Sequence, residues 1–205
     1  MVGELLVGAL GFARNSLGVA LRPYETYRRM TAKASLVELL FLALTVALYF
    51  AAAALVKTAS FRPFLLTREF LALSFGAGTG FVLTLAVFFF VGRLLGGVGR
   101  FATLAVLWGY TLLPTVFWFL ATSVLYLILP PPRTQSMAGI AFSVVYLVFS
   151  SMLLAWKVTL GYLTLRFGMK LDLVRIGGVV IAAAASWGLY SVLMYRLGIF
   201  RIPFL

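Results

Sequence analysis

Residues 36–56 read LVELLFLALTVALYFAAAALV, a stretch in which Glu38 is the only charge. A helix needs about 20 apolar residues to cross the hydrocarbon core of a bilayer, so this run is of spanning length. Four more runs of that kind follow: Phe70–Val91, Phe101–Leu129 with Pro114 inside it, Met137–Leu165 with Lys157 inside it, and Ile176–Tyr195. None shows the alternating ten-residue pattern of a membrane β-barrel, which leaves helices as the way to satisfy the backbone in lipid. The connections are short and carry helix breakers: Arg62-Pro63, the glycines between Arg93 and Arg100, and Pro130-Pro131-Pro132. The expectation is an all-α polytopic membrane protein, five transmembrane helices in one bundle. An N-terminal amphipathic interfacial helix precedes them. The divisions are a basic amino-terminal segment 1–33, the membrane domain 34–196 and a short tail 197–205.

The composition agrees. Of 205 residues 63% are apolar and 11% charged, against roughly a quarter charged in soluble domains. The 17 Lys+Arg against 5 Asp+Glu give a net charge of +12. The basic residues lie between apolar runs, a placement that suits anionic headgroups and orientation rather than nucleic acid. Ten of them fall on the side of the amino terminus, between Arg14 and Lys33, in Arg93 and Arg100, and between Arg166 and Arg175. Six fall on the other side, from Lys57 to Arg201. This bias predicts a cell-membrane protein with its amino terminus cytoplasmic and its carboxyl terminus outside. With no Cys and no His, thiolate and imidazole chemistry and the common metal sites have no ligands. No catalytic residue, metal site or cofactor is expected.

Along residues 1–22, Glu4, Gly8, Gly11, Asn15, Gly18 and Arg22 recur at steps of three and four, with Leu6, Leu10, Leu17 and Leu21 on another face. Such a helix lies on a membrane surface; the competing reading packs its glycine stripe against the bundle.

Charges inside or beside the spans mark either structure or function. Ser35-Leu36-Val37-Glu38 has the form of a capping box, which gives Glu38 a structural role. Lys157 beside Trp156 suits an interface residue that snorkels. The sharper alternative is an intramembrane polar pair, Glu38 with Lys157. Glu69 and Asp172 stand where helix caps belong. Gly76 and Gly80, and Ala184 and Gly188, are small pairs at helix-packing spacing. Pro114 removes one amide from the third span and predicts a kink, a packing feature or a polar notch.

Leu95-Gly96-Gly97-Val98-Gly99-Arg100-Phe101, followed by Trp108-Gly109-Tyr110-Thr111-Leu112-Leu113-Pro114, resembles the Yip1 domain, with its glycine-rich loop leading into a Gly-Tyr-x-Leu-Leu-Pro helix. Arg22-Pro23-Tyr24-Glu25-Thr26-Tyr27-Arg28-Arg29 is similar to the entry segment of prokaryotic members, and Ala155-Trp156 with Leu165-Arg166 and Leu171 to the end of their fourth helix. The family-motif positions are thus Pro23, Glu25, Gly96, Gly97, Gly109, Tyr110 and Pro114. The resemblance implies five spans, an inner amino terminus and a membrane role without catalysis. The long cytosolic region of eukaryotic members and its Asp-Leu-Tyr-Gly-Pro motif are absent, so Rab GTPase binding is not implied. The expected function is a non-enzymatic adaptor or membrane-organising protein. Its partners would be membrane lipids, other membrane proteins or further copies of itself, and no nucleic acid. The alternative is a transporter, channel or lipid-translocating protein with a polar path near Glu38, Tyr110 and Lys157.

Overall fold

The computed structural model describes residues 2–33, 35–57, 63–128 and 137–198. Among them there is no strand. The helices are α1 (Val2–Leu21), α2 (Pro23–Met30), α3 (Leu36–Lys57), α4 (Pro63–Leu94), α5 (Phe101–Tyr110), α6 (Leu112–Ile128), α7 (Met137–Leu163) and α8 (Leu173–Arg196). A π-helical turn, Thr164–Gly168, ends α7. Five segments are long and apolar enough to cross a membrane: Gly3–Leu21, Phe70–Leu94, Phe101–Val124, Gly139–Gly168 and Leu173–Arg196. Residues 36–56 lie in α3, of which Leu36–Ala52 is a shorter apolar segment. The chain is an all-α polytopic membrane protein. The triple proline, Arg62, Arg133, the tail beyond Gly198 and the side chain of Glu69 lie outside the described residues.

Two helix boundaries differ from the sequence reading. α4 starts at Pro63 instead of Phe70. Proline at a first helical position loses no bond, because that amide has no intrahelical partner. Pro63 is therefore a helix start, and Glu69 lies within α4. The third span is broken at Thr111 into α5 and α6; the Thr111 amide and hydroxyl both donate to the Trp108 carbonyl, at 3.0 and 2.7 Å. Pro114 sits just past that break, where its missing amide is a first-turn orphan of α6. Asp172 is the N-cap of α8 as expected, its Oδ1 accepting from the Arg175 amide at 3.0 Å.

α5 is the axis of the fold: Thr103 to Tyr110 are all buried. On one side Leu104, Ala105 and Trp108 join Leu85 and Phe88 of α4, Leu165 and Met169 around the π turn, and Ile176, Val179 and Ala183 of α8. On the other, Val106, Leu107 and Tyr110 join Val19, Tyr27, Met30, Leu42, Leu160 and Leu163. Burial inside the bundle falls off sharply with position, from 50% of the spanning window of α5–α6 to 6% of that of α7.

The α4–α5 loop and the π turn lock together through backbone. The Val98 amide donates to the Met169 carbonyl at 3.1 Å, and the Arg93 guanidinium braces the loop itself by donating to the Gly99 carbonyl at 3.1 Å. Gly96 takes φ +87°, a left-handed conformation that favours glycine. A Cβ on Gly99 would collide with the Gly168 carbonyl oxygen. Gly99→Ala is therefore expected to cost about 1–3 kcal/mol, as overpacking does. The check is a lowered thermal midpoint in detergent, with exposed Arg100→Gln leaving it unchanged.

Candidate functional site

α1 turns its small, polar face inward. Gly8 lies against Val37 and Phe41, Gly11 against Glu38, and Gly18 against Thr26. Leu6, Leu10, Leu17 and Leu21 point outward. The glycine stripe thus packs on the bundle, the competing reading of the two. Gly8 to Asn15 spans about 10 Å of helix, and the α3 residues it meets are Val37, Glu38 and Phe41. α1 therefore crosses the first turns of α3 and does not run alongside it.

This crossing places Asn15 on Glu38. Asn15 Nδ2 donates to Glu38 Oε2 at 2.8 Å, and the Tyr110 hydroxyl donates to the same oxygen. Arg29 donates to Asn15 Oδ1 at 3.0 Å. Asn15, Glu38 and Tyr110 are 4%, 5% and 0% exposed, which makes this a buried cluster drawn from α1, α3 and α5, with the exposed Arg29 of α2 at its edge. The capping-box reading of Glu38 is corrected accordingly. Its amide meets the Ser35 carbonyl at 3.1 Å, while its side chain reaches into the bundle, where two donors satisfy it. Nor does the structure bring Glu38 to Lys157, because the two side chains take different partners: Lys157 Nζ donates to Thr115 Oγ1 at 2.8 Å.

Behind the cluster, Tyr27 of α2 is fully buried and donates to the Leu107 carbonyl at 3.0 Å. Burial pushes its phenol far above the usual range, with the Thr164 hydroxyl opposing, so it stays a neutral donor. Pro23 starts α2, and Glu25 is exposed beside Arg22 at 3.7 Å. Gly109 packs on Leu39 and Leu42 of α3. Gly96 and Gly97 belong to the locked loop.

Lys157 and Pro114 face a second place, a groove of about 280 Å³ between α6 and α7. Thr115, Trp118, Ser150 and Ser151 supply its other polar groups, and Leu147, Leu153 and Leu154 its apolar wall. Trp118 Nε1 donates to Ser150 Oγ at 2.8 Å.

Of the small pairs, Gly76 and Gly80 are buried and Gly76 meets α8, its carbonyl accepting from the Tyr190 hydroxyl at 2.7 Å. Ala184 and Gly188 are exposed, on the side of α8 away from Val179, Ala183 and Tyr190, and form no contact face among the described residues. Residues that sequence reasoning missed are Asn15 and Arg29. Asn15 is the only asparagine and shares the stripe of Gly8, Gly11 and Gly18, which is the signal that could have found it.

No group of three or more acidic, His or Cys side chains that could hold a metal ion occurs among the described residues. No curated protein and no solved structure matches the chain. Residues 17–196 match the Yip1 domain, a stretch that includes Glu38, Tyr110 and the groove but starts after Asn15. A match over most of the chain, on a fold of long apolar helices, makes it a member of the Yip1 domain family.

Proposed function

We propose that this Yip1-type membrane protein acts without catalysis, as an adaptor or membrane-organising factor that works through helix faces and lipid contact. The observation that carries this is the outer side of α7. Val145, Val148 and Met152 are exposed at helical spacing on a helix of which 6% of the spanning window is buried. An apolar face of that length has to be covered by lipid or by a second helix. The rest of the reading is a cell-membrane location with the amino terminus and the basic α4–α5 loop cytoplasmic. The exposed Arg93, Arg100, Arg166, Lys170 and Arg175 at one end of the bundle support it.

A photo-reactive side chain at Val148 or Met152, in native membranes, is expected to give a protein adduct of one discrete mass. The same group at buried Leu160 gives none. Lipid adducts alone from both outer positions would defeat the adaptor role. A path joining Glu38, Tyr110 and Lys157 has no support in their positions. What favours the lipid-translocating alternative is the open groove around Lys157, taken alone.

A further inference from the structure

We infer that the recess between α3 and α4 holds one acyl chain of a membrane glycerolipid, with the ester carbonyl of that chain accepting from the Ser74 hydroxyl. This deepens the lipid half of the reading above and does not depend on a protein covering the outer side of α7.

Small residues make the recess. Its volume is about 290 Å³, and its mouth lies between Ala43 of α3 and Gly78 of α4, both exposed. A Cβ on Gly78 would meet nothing within 4 Å. The floor is Leu42, Phe50, Ala77 and Gly109, all buried. An apolar cavity of roughly 150 Å³ takes one benzene ring, so this recess has room for a longer piece of hydrocarbon. Along α3 the lining runs from Leu39 to Phe50, about 16 Å of helix. That is half of the ~30 Å hydrocarbon core, the share of one leaflet. Spread over that length, the volume leaves a channel about 5 Å wide, half the width of a bare helix. Length and width together fit a single lipid chain.

One polar atom interrupts the apolar lining. Ser74 Oγ is buried and has no hydrogen-bond partner among the described residues. A buried hydroxyl without a partner costs free energy, and an acceptor on a ligand removes that cost. Depth selects the acceptor. Ser74 is four residues past Phe70, where the spanning segment Phe70–Leu94 begins, hence about 6 Å along it. That segment of about 37 Å outreaches the hydrocarbon core at its ends. Ser74 therefore stands near the edge of the hydrocarbon, the level of the ester carbonyls of a glycerolipid. From Ser74 the recess runs past Gly78 to Phe81, toward the membrane interior. The hydroxyl and the apolar channel thus follow each other in the order in which a lipid presents ester and chain.

The test uses the full chain in phosphatidylcholine vesicles that include phosphatidylcholine with a diazirine on one acyl chain. After illumination, adducts are mapped by peptide mass spectrometry. Adducts are expected at Leu42, Phe50 or Ala77, and none at Leu104 or Val179, which are as deeply buried elsewhere. Gly78→Leu fills the mouth and should abolish the floor adducts, while adducts at exposed Leu189 persist. Ser74→Ala should lower the floor adducts about fivefold, the worth of one hydrogen bond, and Ser74→Thr should keep them. The Ser74 hydroxyl has no partner within the described chain, so Ser74→Ala leaves thermal unfolding unchanged. A second vesicle set carries the diazirine on a free fatty acid. Absence of floor adducts from wild type would overturn the inference, as would floor adducts undiminished by Gly78→Leu or by Ser74→Ala. Floor labelling by the free acid and not by the phospholipid would overturn it too. So would full disulfide dimerisation through Ala43→Cys, which would make a second copy the occupant. Each of these leaves the Val148 adduct unaffected, so the two readings fail separately.

Discussion

Glu38→Ala is expected to destabilise the folded chain by about 2–5 kcal/mol, the sum for two buried donors left without an acceptor. The Tyr110 hydroxyl and the Asn15 amide both end on Glu38 Oε2, and both residues are almost fully buried. Neither has water to turn to. Glu38→Gln keeps an acceptor oxygen in nearly the same place and should cost less than half as much. The cluster also predicts coupling. Asn15→Ala with Glu38→Ala should cost less than the sum of the single changes, because removing both partners deletes the unsatisfied pair. Thermal unfolding of detergent-solubilised protein measures all four variants, Glu38→Ala, Glu38→Gln, Asn15→Ala and the double change. Strict additivity would show that Asn15 and Glu38 do not act as a unit, and α1 would then be only loosely tied to the bundle.

Tyr27→Ala carries the other large effect, about 3–5 kcal/mol from emptying a fully buried aromatic site. Tyr27 packs with Val19, Met30, Leu107, Leu160 and Leu163, so the hole opens where α1, α2, α5 and α7 meet. Tyr27→Phe separates shape from polarity. It keeps the ring and loses the bond to the Leu107 carbonyl, for about 1 kcal/mol. Because burial holds the phenol neutral, its pKa lies above ordinary buffer pH in the folded state. The Tyr27–Phe difference should therefore stay constant across neutral and mildly alkaline pH. Only from the ordinary phenol range upward, where the unfolded chain's tyrosine ionises, should the difference fall; a difference that vanished already at neutral pH would contradict the buried, neutral donor.

Apolar runs of spanning length were enough to read the architecture, because lipid demands about 20 apolar residues wherever a helix crosses. Residues 36–56 form a helix as counting predicts, but its described apolar part, Leu36–Ala52, is shorter than a span, while Gly3–Leu21 is long and apolar enough for one. The glycine-rich loop after Arg93 was legible as a turn, and the structure adds that Gly99 is there to let two backbones touch. What periodicity could not supply was which face points inward. In water the apolar side of a helix turns to the core; beside lipid it can turn out. Leu6, Leu10, Leu17 and Leu21 do so, and the small, polar stripe of α1 packs instead. The same inversion hid the role of Asn15. Glu38 was read from its neighbours in sequence, Ser35 above all, whereas its partners lie 23 and 72 residues away. Ala184 and Gly188 had the spacing of a contact face but lie on the outward side of α8, and spacing alone carries no direction. Lys157 reads in sequence as an interface residue or as half of a pair with Glu38; its bond to Thr115 and the groove it lines depend on how α6 leans on α7.

The claim on which all of this stands is that the bundle threads a membrane, with the α4–α5 loop and the start of α8 at one face and the start of α7 at the other. The chain has no cysteine, so single cysteines at Val98, Leu173 and Met137, all exposed, can be probed in sealed membranes with an impermeant maleimide. Val98 and Leu173 should react from one side only, and Met137 only from the opposite side. Labelling of Val98 and Met137 from the same side would contradict the account.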